Sequence, residues 1–218
     1  MVGAPPSVPL VPLPRRPPEA RGGGWERVRS WYEDVLGWPT APGTPVRLRA
    51  GVRFDVLDVP AGAGHAALER LGRAGPAARG PGFPVAVRGG RMWLFVAAGG
   101  ADELPGLLEW LEWGSLPLDL TAVGAGGLVD APLGPVTPGP GSAGPPPRPP
   151  GLPGRDGRTG PRGAAVWVRP PEPGGGDEGS LPALSASGGQ GAGPDLARLV
   201  RTLATQCHRV RLSLSAAP

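Results

Sequence analysis

At 218 residues with a net charge of +4, the chain has the length of one domain with tails. Its 39 Gly and 33 Pro far exceed globular usage, and the absence of Lys, Ile and Asn points to a GC-rich codon bias behind much of that excess. A single Cys excludes an intramolecular disulfide and a cysteine-based zinc cage. No run approaches the ~20 apolar residues that span a bilayer, so a cytoplasmic protein without membrane contact is expected.

Residues 1–24 are Pro-rich, end in Gly22-Gly23-Gly24 and read as a disordered leader. From Trp25 to Leu36 the pattern predicts a helix with Val28, Trp31, Tyr32 and Val35 on one face and Gly37 as its stop. Residues 52–59 read as a strand, and 63–73 as a helix with Leu68 and Leu71 inward. Residues 84–88 and 92–97 predict a hairpin turned at Gly89-Gly90. Leu104, Leu107, Leu108 and Leu111 give a helical stripe, and 116–123 with 128–131 predict a second hairpin.

Residues 134–163 hold nineteen Gly or Pro in thirty, which reads as a disordered linker or insertion. Residues 164–169 predict one more strand, 170–194 a flexible Gly/Pro-rich loop, and 195–207 an amphipathic helix. Alternation of Val210, Leu212 and Leu214 with Arg209, Arg211 and Ser213 allows a short edge strand at the end. Segments 25–133 and 164–214 together give about 150 patterned residues, enough for one core. Mixed helices and hairpins favour an α+β fold over a parallel α/β sheet.

Charge is unevenly distributed. Residues 25–133 carry ten Arg against twelve acids, while both flanks are cationic. A phosphate-tracking groove needs clustered cations. Within the patterned region Arg47, Arg49, Arg53, Arg88 and Arg91 are the nucleic-acid-binding candidates, against a reading as solvated surface. DNA or nucleotide binding is therefore expected to be weak and to rest mostly on the basic flanks. The Pro/Arg-rich segments offer a separate route to protein partners by polyproline recognition.

The acids in or beside predicted strands are Asp55, Asp58, Asp119 and Asp130. Two-metal nucleotidyl transfer takes carboxylates from alternate residues of a strand, because alternate side chains share a face. Asp55 and Asp58 are three apart and point to opposite faces, and the position two after Asp58 is Pro60, which binds nothing. Asp55, Asp58 and Asp119 are the candidate metal ligands and Asp58 and Asp119 the candidate catalytic acids. The alternative is that Arg53, Arg88 or Arg91 neutralises them.

Gly62-Ala-Gly-His-Ala-Ala67 matches the loose dinucleotide pattern G-x-G-x-x-A after a strand, but no acid for a ribose lies between Glu69 and Asp102. His65 and His208 are isolated, and Cys207 reads as a small buried hydrophobe. Trp110 and Trp113 could stack bases, with full or partial burial as the blander expectation.

In their order, Trp31-Tyr-Glu-Asp-Val-Leu-Gly-Trp-Pro39, Phe54-Asp-Val-Leu-Asp-Val-Pro60, Gly89-Gly-Arg-Met-Trp-Leu-Phe95, Leu118-Asp-Leu-Thr-Ala-Val-Gly124 and Val166-Trp-Val-Arg-Pro-Pro171 resemble the bifunctional DNA primase/polymerase N-terminal (prim-pol) domain. The chain is similar to its short, single-domain bacterial versions. The resemblance implies a divergent prim-pol α+β domain and, in active members, a Mg²⁺- or Mn²⁺-dependent nucleotidyltransferase with an acid pair, a histidine and a later metal-binding acid. Carried over residue by residue, Asp58 matches the first acid and Asp119 the later one. Pro60 replaces the second acid, and Met92 stands in the place of the histidine. The expectation is a catalytically degenerate domain kept for binding nucleic acid, nucleotide or protein. An active primase/polymerase is the alternative, and an interaction protein acting through its Pro/Arg-rich segments is another.

Overall fold

The computed structural model describes residues 23–73, 82–134, 163–172, 181–184 and 195–215. These form a mixed α+β fold with four helices and two antiparallel sheets. Most of the Gly/Pro-rich segments 1–24, 134–163 and 170–194 lie outside the described residues.

Its centre is a β-α-β-β-α-β unit. Strand β3 (Asp55–Pro60) leads into helix α2 (Ala61–Arg73), and the hairpin β4 (Val85–Arg88) and β5 (Arg91–Val96) follows. Helix α3 (Gly100–Trp110) and strand β6 (Thr121–Val123) complete it. The spatial order β6-β3-β5-β4 inserts β5 between β3 and β4, so the unit is a split β-α-β arrangement with every neighbouring pair antiparallel. Strand β8 (Val166–Arg169) extends the sheet beyond β4.

Period-two alternation divides the side chains between two cores. On one face Leu57, Val59, Met92, Leu94 and Val96 meet α2, α3 and the long helix α4 (Leu196–Ser215). On the other face Val56, Ala86, Trp93, Phe95 and Trp167 are covered by helix α1 (Gly23–Ser30) and by the second sheet. That sheet joins β1 (Thr40–Ala41), β2 (Arg47–Arg49) and β7 (Leu128–Asp130) in the order β1-β2-β7. After Ser30 the helix widens to π-helical geometry over Trp31–Val35, which turns the adjacent Trp31 and Tyr32 both inward. Trp38 stacks at 5.5 Å on Phe95 and lies 4.4 Å from Phe54 between ring centroids. The Tyr32 hydroxyl donates to the Pro132 carbonyl at 2.5 Å and accepts the indole N–H of Trp167 at 3.1 Å. Burial lifts its phenol well above the ordinary value, against the opposing effect of the Trp167 bond.

Three expectations change here. The segments around 121–123 and 128–130 do not pair with each other: β6 joins the large sheet and β7 the small one. Gly127 donates its N–H to the Gly124 carbonyl, so the chain turns between sheets instead of closing a hairpin. Residues 209–214 continue α4 instead of forming an edge strand, because Val210 extends the helical stripe of Leu199, Leu203 and Cys207. Within the expected loop 170–194, Leu181 is buried, and the Pro182 carbonyl accepts the Ala97 N–H at 2.9 Å. The two- and three-residue strands β1 and β2 had no sequence expectation. No described helix is long and apolar enough to cross a membrane.

The G-x-G-x-x-A stretch has a packing role. Ala63, Gly64 and Ala67 are buried on α2, and a Cβ at Gly64 would lie 2.3 Å from the Met92 sulfur. The glycine lets the helix backbone approach β5.

Candidate functional site

Asp58 lies on the face of β3 that also carries Val56, opposite Trp93 and Thr121 on the flanking strands. One strand over, Arg91 is paired with Pro60 and shares that face. Its Nε donates to Asp58 Oδ1 at 2.8 Å, and its Nη2 donates to the Asp58 carbonyl at 3.1 Å. Its Nη1 donates to Asp119 Oδ1 at 2.7 Å. Asp119 comes from the segment that descends from α3 to β6, and its own carbonyl faces the Cys207 thiol on α4 at 3.8 Å. A single planar guanidinium thus spans two carboxylates from different elements, the forked geometry for which Arg is suited.

Burial of Arg91 would lower its pKa, but hydrogen bonds to Asp119 and Asp58, with their charges, hold it above the ordinary value. The side chains of Arg91 and Asp58 are one-third and one-quarter exposed, and that of Asp119 is 61% exposed. The Asp58 arm is therefore screened less by solvent than the Asp119 arm.

Asp55 goes elsewhere. It is 1% exposed on the opposite face, and its Oδ2 accepts the Ala101 N–H at 2.9 Å. Helix α3 begins after Gly99, which offers no side-chain cap, so Asp55 caps the helix from a neighbouring strand. Asp55→Ala is expected to lower stability by about 1–2 kcal/mol, read as a shifted midpoint in urea unfolding. An unchanged midpoint would remove this role.

Met92 is fully buried on the helix side, so it faces away from Asp58 and Arg91. The candidate cations are also dispersed. Arg47 and Arg49 are exposed on β2 in the small sheet, and Arg49 donates to the Thr40 carbonyl at 3.1 Å. Arg53 is exposed in the turn before β3. Arg88 pairs with Asp130 at 3.0 Å and sits 5.8 Å from the Trp93 ring centroid. Two of these five Arg therefore already neutralise acids of this chain.

Trp110 is 73% exposed on α3, unlike the burial expected of it, whereas Trp113 packs against His208 at 5.7 Å. His65 is exposed on α2. Burial, with a smaller push from Asp119, raises the Cys207 thiol to about 11. The thiol should therefore react with a disulfide reagent at pH 8 about 100-fold more slowly in the folded chain than after unfolding. Equal rates would show that α4 does not shield it.

Mg²⁺ or Mn²⁺ chemistry needs several oxygen donors facing one open space. Asp58 and Asp119 do converge, but a guanidinium lies between them, Pro60 adds no donor and Asp55 is across the sheet. Among the described residues, no group of three or more His, Cys, Asp and Glu could hold a metal ion. These residues do not fit the cation pair of a nucleotidyltransferase. The sequence offered Arg53, Arg88 and Arg91 as partners for these acids; that Arg91 serves both follows from the β3–β5 register, for which no local signal exists. No family model matches the chain, and comparison with curated proteins and with solved structures likewise finds no match.

Proposed function

We propose that this chain is a non-catalytic binding module built on a prim-pol-like scaffold. The observation that carries the reading is Arg91, whose guanidinium bridges Asp58 and Asp119. In a two-metal enzyme the cations neutralise the acids and the charge that develops on the phosphoryl oxygens. Here the guanidinium supplies that neutralisation, with Nε, Nη1 and Nη2 each donating to Asp58 or Asp119, and unlike a metal ion it cannot lower the pKa of a bound nucleophile by direct coordination.

The aromatic side of the sheet also favours structure over base recognition. Trp38, Phe54, Phe95 and Trp167 are buried beneath α1 and the small sheet, so they present no stacking platform. Binding is left to outer surfaces and loops, with the Arg residues of β2 and the turn before β3 as contacts for phosphate or for acidic protein partners.

One observation favours the alternative of an active enzyme. The two acids matched by the resemblance, 61 residues apart in sequence, meet in space. The test is nucleotide incorporation on primed and unprimed DNA templates with Mg²⁺ and with Mn²⁺, beside the double variant Asp58→Ala, Asp119→Ala. Incorporation equal to that background is the expected result. Incorporation above it would make Asp58 and Asp119 catalytic and end the non-catalytic reading.

A further inference from the structure

Away from the Asp58–Arg91–Asp119 network, a cavity of about 290 Å³ opens between the start of α1, the small sheet and the start of β8. Its walls include Trp25, Pro45, Val46, Leu133 and Ala164, and its polar wall residue is Asp130. Asp130 is held at the rim by Arg88, which pairs with it at 3.0 Å and donates its Nε to the Gly163 carbonyl at 3.0 Å. The rim therefore carries no net charge, yet the wall still pairs an acid, Asp130, with an aromatic residue, Trp25.

We propose that this cavity binds a neutral, fused two-ring heteroaromatic ligand with an N–H at its edge. Size sets the ring count: an apolar cavity of ~150 Å³ holds one benzene ring, so roughly twice that volume takes a bicyclic ring system. Electrostatics sets the charge. An anionic ligand would have to compete with Asp130 for Arg88, and a cationic one with Arg88 for Asp130. A ring N–H can instead donate to the free lone pairs of Asp130 while the ring lies against Trp25, Val46 and Leu133. Mostly apolar walls with few polar groups are the usual make-up of a small-molecule site.

The test uses the full chain with indole as the neutral probe and indole-3-acetate as the anionic one, followed by ligand-observed saturation-transfer NMR. Indole is expected to bind saturably and at least tenfold more tightly than indole-3-acetate. Ala164→Leu places a larger side chain into the lining and should weaken indole at least tenfold without lowering the thermal midpoint. Asp130→Asn releases Arg88 and should reverse the preference toward indole-3-acetate. The proposal is overturned if indole shows no saturable binding, if Ala164→Leu folds and binds indole unchanged, or if Asp130→Asn leaves the preference as it was. These readouts do not involve nucleotide transfer, so they stand or fall separately from the function proposed above.

Discussion

Met92→His is expected to destabilise the protein by about 3 kcal/mol and to yield no nucleotide incorporation. The substitution restores the residue that the prim-pol resemblance asks for, yet the position is fully buried between β5 and α2. An imidazole there loses water and meets Val59, Leu94 and the backbone of Gly64 in place of polar partners. An unpaired buried polar group costs about 1–3 kcal/mol, and the lost thioether packing adds to it. Chemical denaturation measures the first part and a template-extension assay the second. A variant of unchanged stability would mean that Met92 does not fill the helix–sheet interface.

Trp38→Ala should cost more, about 4 kcal/mol, which is a large share of the 5–15 kcal/mol that holds a typical domain together. Trp38 is 1% exposed and touches Phe54, Phe95, Tyr32 and Trp167, so truncation opens a void where the small sheet meets the large one. Its indole N–H has no hydrogen-bond partner among the described residues. Trp38→Phe therefore removes an unsatisfied donor along with some apolar area and is expected to cost less than half as much. Thermal and urea unfolding of the two variants side by side separate the two effects. Equal losses would show that the N–H, and not the ring volume, governs this site.

The elements that sequence made legible are those whose signals are local. Alternation in β3, the Gly89-Gly90 turn and the leucine stripe of α3 each lie within a dozen residues, and each appears where the pattern puts it. The strand parity that sends Asp55 and Asp58 to opposite faces is also local and is seen in their different partners. The small sheet was not legible. Its strands are two or three residues long, and β2 pairs with β7 about 80 residues onward, so tertiary packing outweighs any intrinsic strand propensity. The end of α4 misled for a related reason: Val210, Leu212 and Leu214 satisfy a period of two, while Val210 also continues the helical stripe.

For the candidate site, the sequence singled out Asp55, Asp58, Asp119 and Asp130 and offered Arg53, Arg88 or Arg91 as their neutralising partners. Which arginine, and that one would serve two acids, depends on the register between β3 and β5. That register places Arg91 beside Pro60 and brings its side chain over Asp58, 33 residues away. The resemblance set Met92 where a histidine would stand. Its orientation toward the helices follows from the same register, which gives Arg91 and Met92 opposite faces.

Arg91 holds Asp58 and Asp119 in one guanidinium bridge, which leaves no carboxylate pair free to hold two cations. Titration of the full chain with Mn²⁺ at neutral pH, followed by the electron paramagnetic resonance signal of the free ion, tests it most directly. No site that binds Mn²⁺ more tightly than about 1 mM is expected, because a divalent ion would have to displace the charge-assisted hydrogen bonds of Arg91. A micromolar site that disappears in Asp58→Ala or in Asp119→Ala would contradict it.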